Sequence, residues 1–127
     1  MKKWMLNFWK EGEFIDPWSI PHFLFGVIFA GIFYYLGVHF WIAVIISFCL
    51  MVSWEFYEKG RGFKEKIPNK ILGVILGLTG FFIMTFLMIN LKTPYNLGLF
   101  ILTLGILLIL EMWGFRAYKI KYNKSII

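Results

Sequence analysis

Four apolar stretches dominate this chain, running from about Pro21 to Leu36, Phe40 to Tyr57, Ile71 to Leu91 and Leu97 to Phe115, with short polar segments between them. A hydrocarbon layer of roughly 30 Å needs about 20 apolar residues in helical form, and these stretches approach or meet that length. The pattern predicts an all-α membrane protein with four transmembrane helices at 21–36, 40–57, 71–91 and 97–115. Little more than Gly37-Val38-His39 joins the first two and Lys92-Thr93-Pro94-Tyr95-Asn96 joins the last two. Connections this short predict two antiparallel hairpins. One four-helix domain then covers residues 1–127, with a segment 1–15 ahead of the bundle and a basic tail, 116–127, behind it.

The leading segment carries a different pattern. Trp4, Met5, Phe8 and Trp9 share one helical face opposite Lys2, Lys3 and Lys10, which predicts a short amphipathic helix lying on the membrane surface. Asn7, Lys10, Glu11 and Glu13 interrupt it too often for the apolar region of a signal peptide. Within the bundle, Gly73, Gly77 and Gly80 form a small-residue face, and Gly26, Ala30 and Gly37 a looser one. Such faces let helix backbones approach closely in lipid, either inside the bundle or between subunits of a homo-oligomer.

Composition sharpens the class. The chain is 60% hydrophobic and 16% charged, too apolar for one water-soluble core of this size. Its net charge of +6 would suit a nucleic-acid binder, but placement argues otherwise: of 13 Lys and Arg residues, only Lys92 lies outside the leading segment, the Lys59–Lys70 loop and the tail. That asymmetry places the loop and both termini in the cytoplasm. The basic residues then anchor anionic lipid headgroups, with no nucleic acid as partner. The lone Cys49 has no partner for an intramolecular disulfide and reads as a packing residue.

Polar residues inside apolar spans carry the candidate chemistry, because an ionised carboxylate there costs about 2.5–3.5 kcal/mol on the gentlest scale. His22, Glu55 and Glu111 each lie roughly 6–8 Å inside the cytoplasmic boundary at 1.5 Å rise per residue. Asp16, Ser19 and His22 follow at steps of three, as do Glu55 and Glu58, so each set can project from one side of its helix. Asn69 enters from the same end, and the sets converge on one polar pocket. A histidine among carboxylates suits a divalent cation, with His22, Glu55 and Glu58 as metal ligands and Asp16, Ser19, Asn69 and Glu111 around them. Ser19 beside His22 would need a positioned base and an oxyanion site to act as a nucleophile, and a spacing of three residues establishes neither. Gly60-Arg61-Gly62 lacks the strand-turn-helix setting of a phosphate loop, leaving Arg61 and Lys64 as cations for a lipid headgroup.

The run Asp16-Pro17-Trp18-Ser19-Ile20-Pro21-His22-Phe23-Leu24-Phe25-Gly26, followed by Trp54-Glu55-Phe56-Tyr57-Glu58 and Asn69, resembles small prokaryotic membrane families broadly similar to VanZ-like proteins. The resemblance covers roughly residues 16 to 80. It implies an association with glycopeptide resistance and hence envelope chemistry, and it carries no known reaction. Such sequences place an Asp four residues after the Asn, where this chain has Gly73. The expectation is a cytoplasm-facing His and carboxylate pocket that binds a divalent cation and recognises or modifies a phosphate-bearing lipid headgroup. A small oligomeric ion transporter or channel, and a non-enzymatic structural or holin-like protein, are the alternatives. Only Ser47, Thr79, Thr85 and Thr103 lie along the outer halves of the spans, a poor start for a continuous ion path.

Overall fold

The computed structural model describes residues 2–9, 16–62, 66–91 and 93–122, and among them the chain forms five α-helices and no strand. These are α1 (Lys3–Asn7), α2 (Ser19–Tyr35), α3 (Phe40–Gly60), α4 (Ile67–Asn90) and α5 (Thr93–Tyr122). Three are long and apolar enough to cross a membrane: α3, α4 and the Asn96–Ile120 stretch of α5. α2 is equally apolar but has 17 residues, about 25 Å of helix.

Local chemistry sets the boundaries. The Asp16 backbone N–H donates to Ser19 Oγ at 3.3 Å, and Asp16 Oδ1 accepts from the Trp18 N–H at 3.0 Å, a reciprocal turn that satisfies donors at the start of α2. Pro21 sits within the first turn, where its missing N–H has no helical partner to lose. α2 stops at Gly37, whose φ of 70° lets the Gly37 N–H donate to Tyr34 O and the Val38 N–H donate to Phe33 O. That left-handed cap satisfies carbonyls that the helix end leaves open. With Pro68 in its first turn, α4 starts at Ile67, four residues ahead of the apolar stretch. α5 continues past Phe115 because Ala117 and Tyr118 remain buried while Arg116 and Lys119 are exposed.

Glycine organises the packing. α2 makes its most extensive contact with α4, and a Cβ on Gly26 would strike the Gly77 carbonyl and the Phe81 nitrogen, while one on Gly80 would strike the Phe23 carbonyl. His22 meets Gly73 and Gly26 meets Gly77, so α2 and α4 run parallel with their backbones in contact. α3 and α5 run the other way, as Phe25 against Trp54 and Gly31 against Phe100 show. The bundle is therefore built around a parallel pair. Chain neighbours α2 and α3, and α4 and α5, touch much less, because no comparable small-residue faces let them close. The glycine faces read from the sequence are spent inside the chain, except that Gly37 serves the turn.

Two apolar clusters fill the interior. Val27, Ala30, Ala43, Phe81, Met84 and Met88 form one toward the Gly37 end. Trp9, Trp18, Ala117 and Tyr118 form the other at the opposite end, termed the basic end because Lys59, Arg61, Lys66, Lys70, Arg116 and Lys119 gather there. α1 docks on it: Phe8 stacks on Trp113 at 4.9 Å, and Trp113 Nε1 donates to Met5 O at 3.2 Å. The aromatic face expected on the membrane surface is thus partly spent on α5. The amphipathic helix itself is shorter than its pattern, and residues 10–15 lie outside the described residues. Ile45, Ile101, Leu102, Ile109 and Met112 are exposed, the outward apolar surface that a bilayer would cover.

Candidate polar site at the basic end of the bundle

The site begins where α2 does. Asp16, fixed by its turn with Trp18 and Ser19, accepts at Oδ2 from Asn69 Nδ2 at 2.8 Å, tying the entry of α2 to the first turn of α4. Asn69 is 1% exposed, so this bond satisfies a polar group that burial would otherwise penalise. Ser19 is committed to the same turn through its Oγ, which leaves its hydroxyl in a structural role.

One turn deeper, α2 carries His22 and α4 carries Gly73. A Cβ at Gly73 would stand 3.1 Å from His22 Cδ2 and 3.2 Å from Cγ and Nε2, so the imidazole lies against bare backbone. From α3, Glu55 reaches toward the same ring, with Oε1 3.5 Å from His22 Nε2 and both side chains about nine-tenths buried. α4 thus supplies space for the ring at this level, and the carboxylate comes from α3.

The remaining predicted residues are placed differently. Glu58 is buried on α3, one turn nearer the basic end. Glu111 is half-buried on α5, and its Oε2 has no hydrogen-bond partner among the described residues. Arg116 and Lys119, further along α5, are exposed. Arg61 caps the end of α3 and is exposed, and Lys64 lies outside the described residues. Among the described residues no three His, Cys, Asp or Glu side chains gather closely enough to hold a metal ion. Of the three predicted ligands, the structure sets His22 and Glu55 side by side, with Glu58 one turn away on α3.

Two grooves flank that pair. Between α2 and α3 a cavity of about 350 Å³ is lined by His22, Phe25, Phe29, Met51, Trp54 and Tyr57. On the other side of α3, a groove of about 240 Å³ against α4 is lined by Glu55, Phe56, Lys59, Lys70, Ile71 and Val74. The sequence places Lys59 and Lys70 among the topology residues and headgroup anchors without singling out either. Lys59 follows Glu55 by four positions, a spacing that puts both on one helix face and could have singled it out. Chemically, an imidazole and a carboxylate side by side can exchange a proton or offer one nitrogen and one oxygen to a cation. Two protein donors leave most of a divalent cation's positions for phosphate oxygens and water, as magnesium sites on phosphate substrates commonly do. Comparison with protein-family profiles, with characterised proteins and with solved structures finds no match to this chain.

Proposed function

We propose that this chain crosses a prokaryotic cytoplasmic membrane four times with its basic end in the cytoplasm, and that the His22–Glu55 pair recognises a phosphate-bearing lipid headgroup together with a divalent cation. α2 is the fourth span in this reading: the turns at Asp16–Trp18 and Leu36–Val38 extend its 17 residues. Tyr34 and Tyr35, exposed at its far end, suit a membrane interface. The observation that carries the functional half is a titratable pair 3.5 Å apart, nine-tenths buried in an apolar bundle yet bordered by grooves on both sides of α3. Such groups are costly in a membrane and mark functional sites by default. A cation would supply charge and Lewis acidity for the phosphate, His22 and Glu55 would position it, and Asp16–Asn69 would hold α2 and α4 in register beside it.

The transporter alternative draws less support. Toward the Gly37 end, the cluster of Val27, Ala30, Phe81, Met84 and Met88 fills the space that an ion path would need. Calorimetric titration of Mn²⁺ into the protein in nanodiscs containing phosphatidic acid tests the proposal. Binding that weakens at least tenfold in both His22→Gln and Glu55→Gln is expected. Unchanged affinity in both folded variants would reject the pair as the cation site, and cation flux in proteoliposomes abolished by Glu55→Gln would favour transport.

A further inference from the structure

The cationic groove between α3 and α4 has a character that the His22–Glu55 pair does not explain. Lys59 is exposed at the end of α3, and Lys70 is half-buried on the first turns of α4, so one cation stands on each wall. The groove continues away from them between Phe56, Ile71 and Val74. Phe56 is 72% exposed and Ile71 56% exposed, an apolar rim that faces outward from the bundle. Glu55 closes the inner side, where its carboxylate also faces His22. Two cations against one carboxylate leave a positive mouth above an apolar trough, the order of charge and hydrocarbon found along a phospholipid. A free phosphate ion would have no use for the trough, and a neutral hydrocarbon none for the lysines.

We propose that this groove seats one anionic phospholipid, with its phosphate between Lys59 and Lys70 and an acyl chain along Phe56, Ile71 and Val74. The inference rests on the functional reading only in taking the basic end as lipid-facing, and it assigns the headgroup contact to Lys59 and Lys70 rather than to Arg61 and Lys64. With a lipid seated, each lysine stem would pack along the apolar wall and keep its charge near the headgroups. The position has a consequence for Glu55: a lipid in the groove covers the side of Glu55 that His22 does not.

Native mass spectrometry tests this on the full chain released from nanodiscs of equal phosphatidylglycerol and phosphatidylcholine. One retained phosphatidylglycerol is expected per chain. The double variant Lys59→Gln/Lys70→Gln should reduce its retention roughly tenfold or more, Lys59→Arg/Lys70→Arg should restore it, and Arg61→Gln should leave it unchanged. Far-UV circular dichroism of each variant separates lost folding from lost binding. Equal retention in the double Gln variant, an equal loss in Arg61→Gln, or displacement of the lipid by millimolar inorganic phosphate would overturn the assignment. Glu55→Gln separates this seat from the cation site: it should retain phosphatidylglycerol whether or not it loses Mn²⁺, and loss of the lipid in this folded variant would contradict a seat built on the two lysines.

Discussion

Gly26→Ala should be the most damaging single-methyl change in the bundle. The added Cβ would overlap the Gly77 carbonyl oxygen and stand 2.6 Å from the Gly77 carbonyl carbon and 2.9 Å from the Phe81 nitrogen. Ordinary contact begins near 3.4 Å, and every obstructing atom is backbone, so no rotamer change relieves the clash. α2 and α4 must separate, loosening Val27, Ala30, Phe81 and Met84 behind them. Overpacking costs about 1–3 kcal/mol and occasionally more. The gain of up to about 1 kcal/mol from replacing a helical Gly by Ala offsets only part of it. A net loss of about 2 kcal/mol or more is expected. Gly98→Ala and Gly105→Ala on α5 meet nothing within 4 Å and should be neutral or slightly stabilising, which makes them internal controls. Equilibrium unfolding by sodium dodecyl sulfate in mixed micelles, followed by tryptophan fluorescence, measures all three. A Gly26→Ala variant as stable as the α5 controls would refute the parallel α2–α4 contact.

The remaining predictions concern the polar contacts and the orientation. Removing either member of the His22–Glu55 pair should cost about 1–3 kcal/mol, because a buried polar contact is lost, whereas His22→Leu/Glu55→Leu should cost less than the sum of the singles; additive losses in the same unfolding assay would show that the two do not interact. Asn96→Ala should destabilise by about 1–3 kcal/mol, because Asn96 Nδ2 donates to both Met88 O and Leu91 O at 2.9 Å and closes the α4–α5 turn; a change under about 0.5 kcal/mol would contradict that role. A cysteine at exposed Asn90 should react with an impermeant maleimide on intact cells, and one at exposed Arg61 should not; the reverse labelling would invert the orientation.

Much of the architecture is legible in the hydropathy pattern, because burial in lipid demands long uninterrupted apolar helices and the pattern shows where they end. Depth counting also brings His22 and Glu55 together, since it needs only helical rise and the cost of polar groups in hydrocarbon. It brings Asp16 near Asn69 for the same reason. Pairing between helices is harder to read. Short connections fix which helices run antiparallel, but they do not fix which faces meet, and here the glycine contact makes the parallel pair α2 and α4 the centre. Gly73 is informative only once His22 is seen resting on it. Glu111 shares the depth of the pair, yet among the described residues no third carboxylate joins it in a metal-holding group, because depth constrains one coordinate and leaves helix rotation free. The extension of α5 to Tyr122 was hidden by its charges: Tyr118 is buried among Trp9, Trp18 and Ala117, and its hydroxyl donates to Gly62 O at 3.3 Å.

The central claim is that His22 and Glu55 hold a cation at a lipid phosphate, and electron spin-echo spectroscopy tests it at the atom concerned. Mn²⁺ bound to the protein in phosphatidic acid nanodiscs should show modulation from a directly coordinated ¹⁴N that vanishes in His22→Gln, and from ³¹P that disappears when phosphatidic acid is replaced by an uncharged lipid. Nitrogen modulation that is absent in the unaltered protein, or that persists in His22→Gln, would contradict the account.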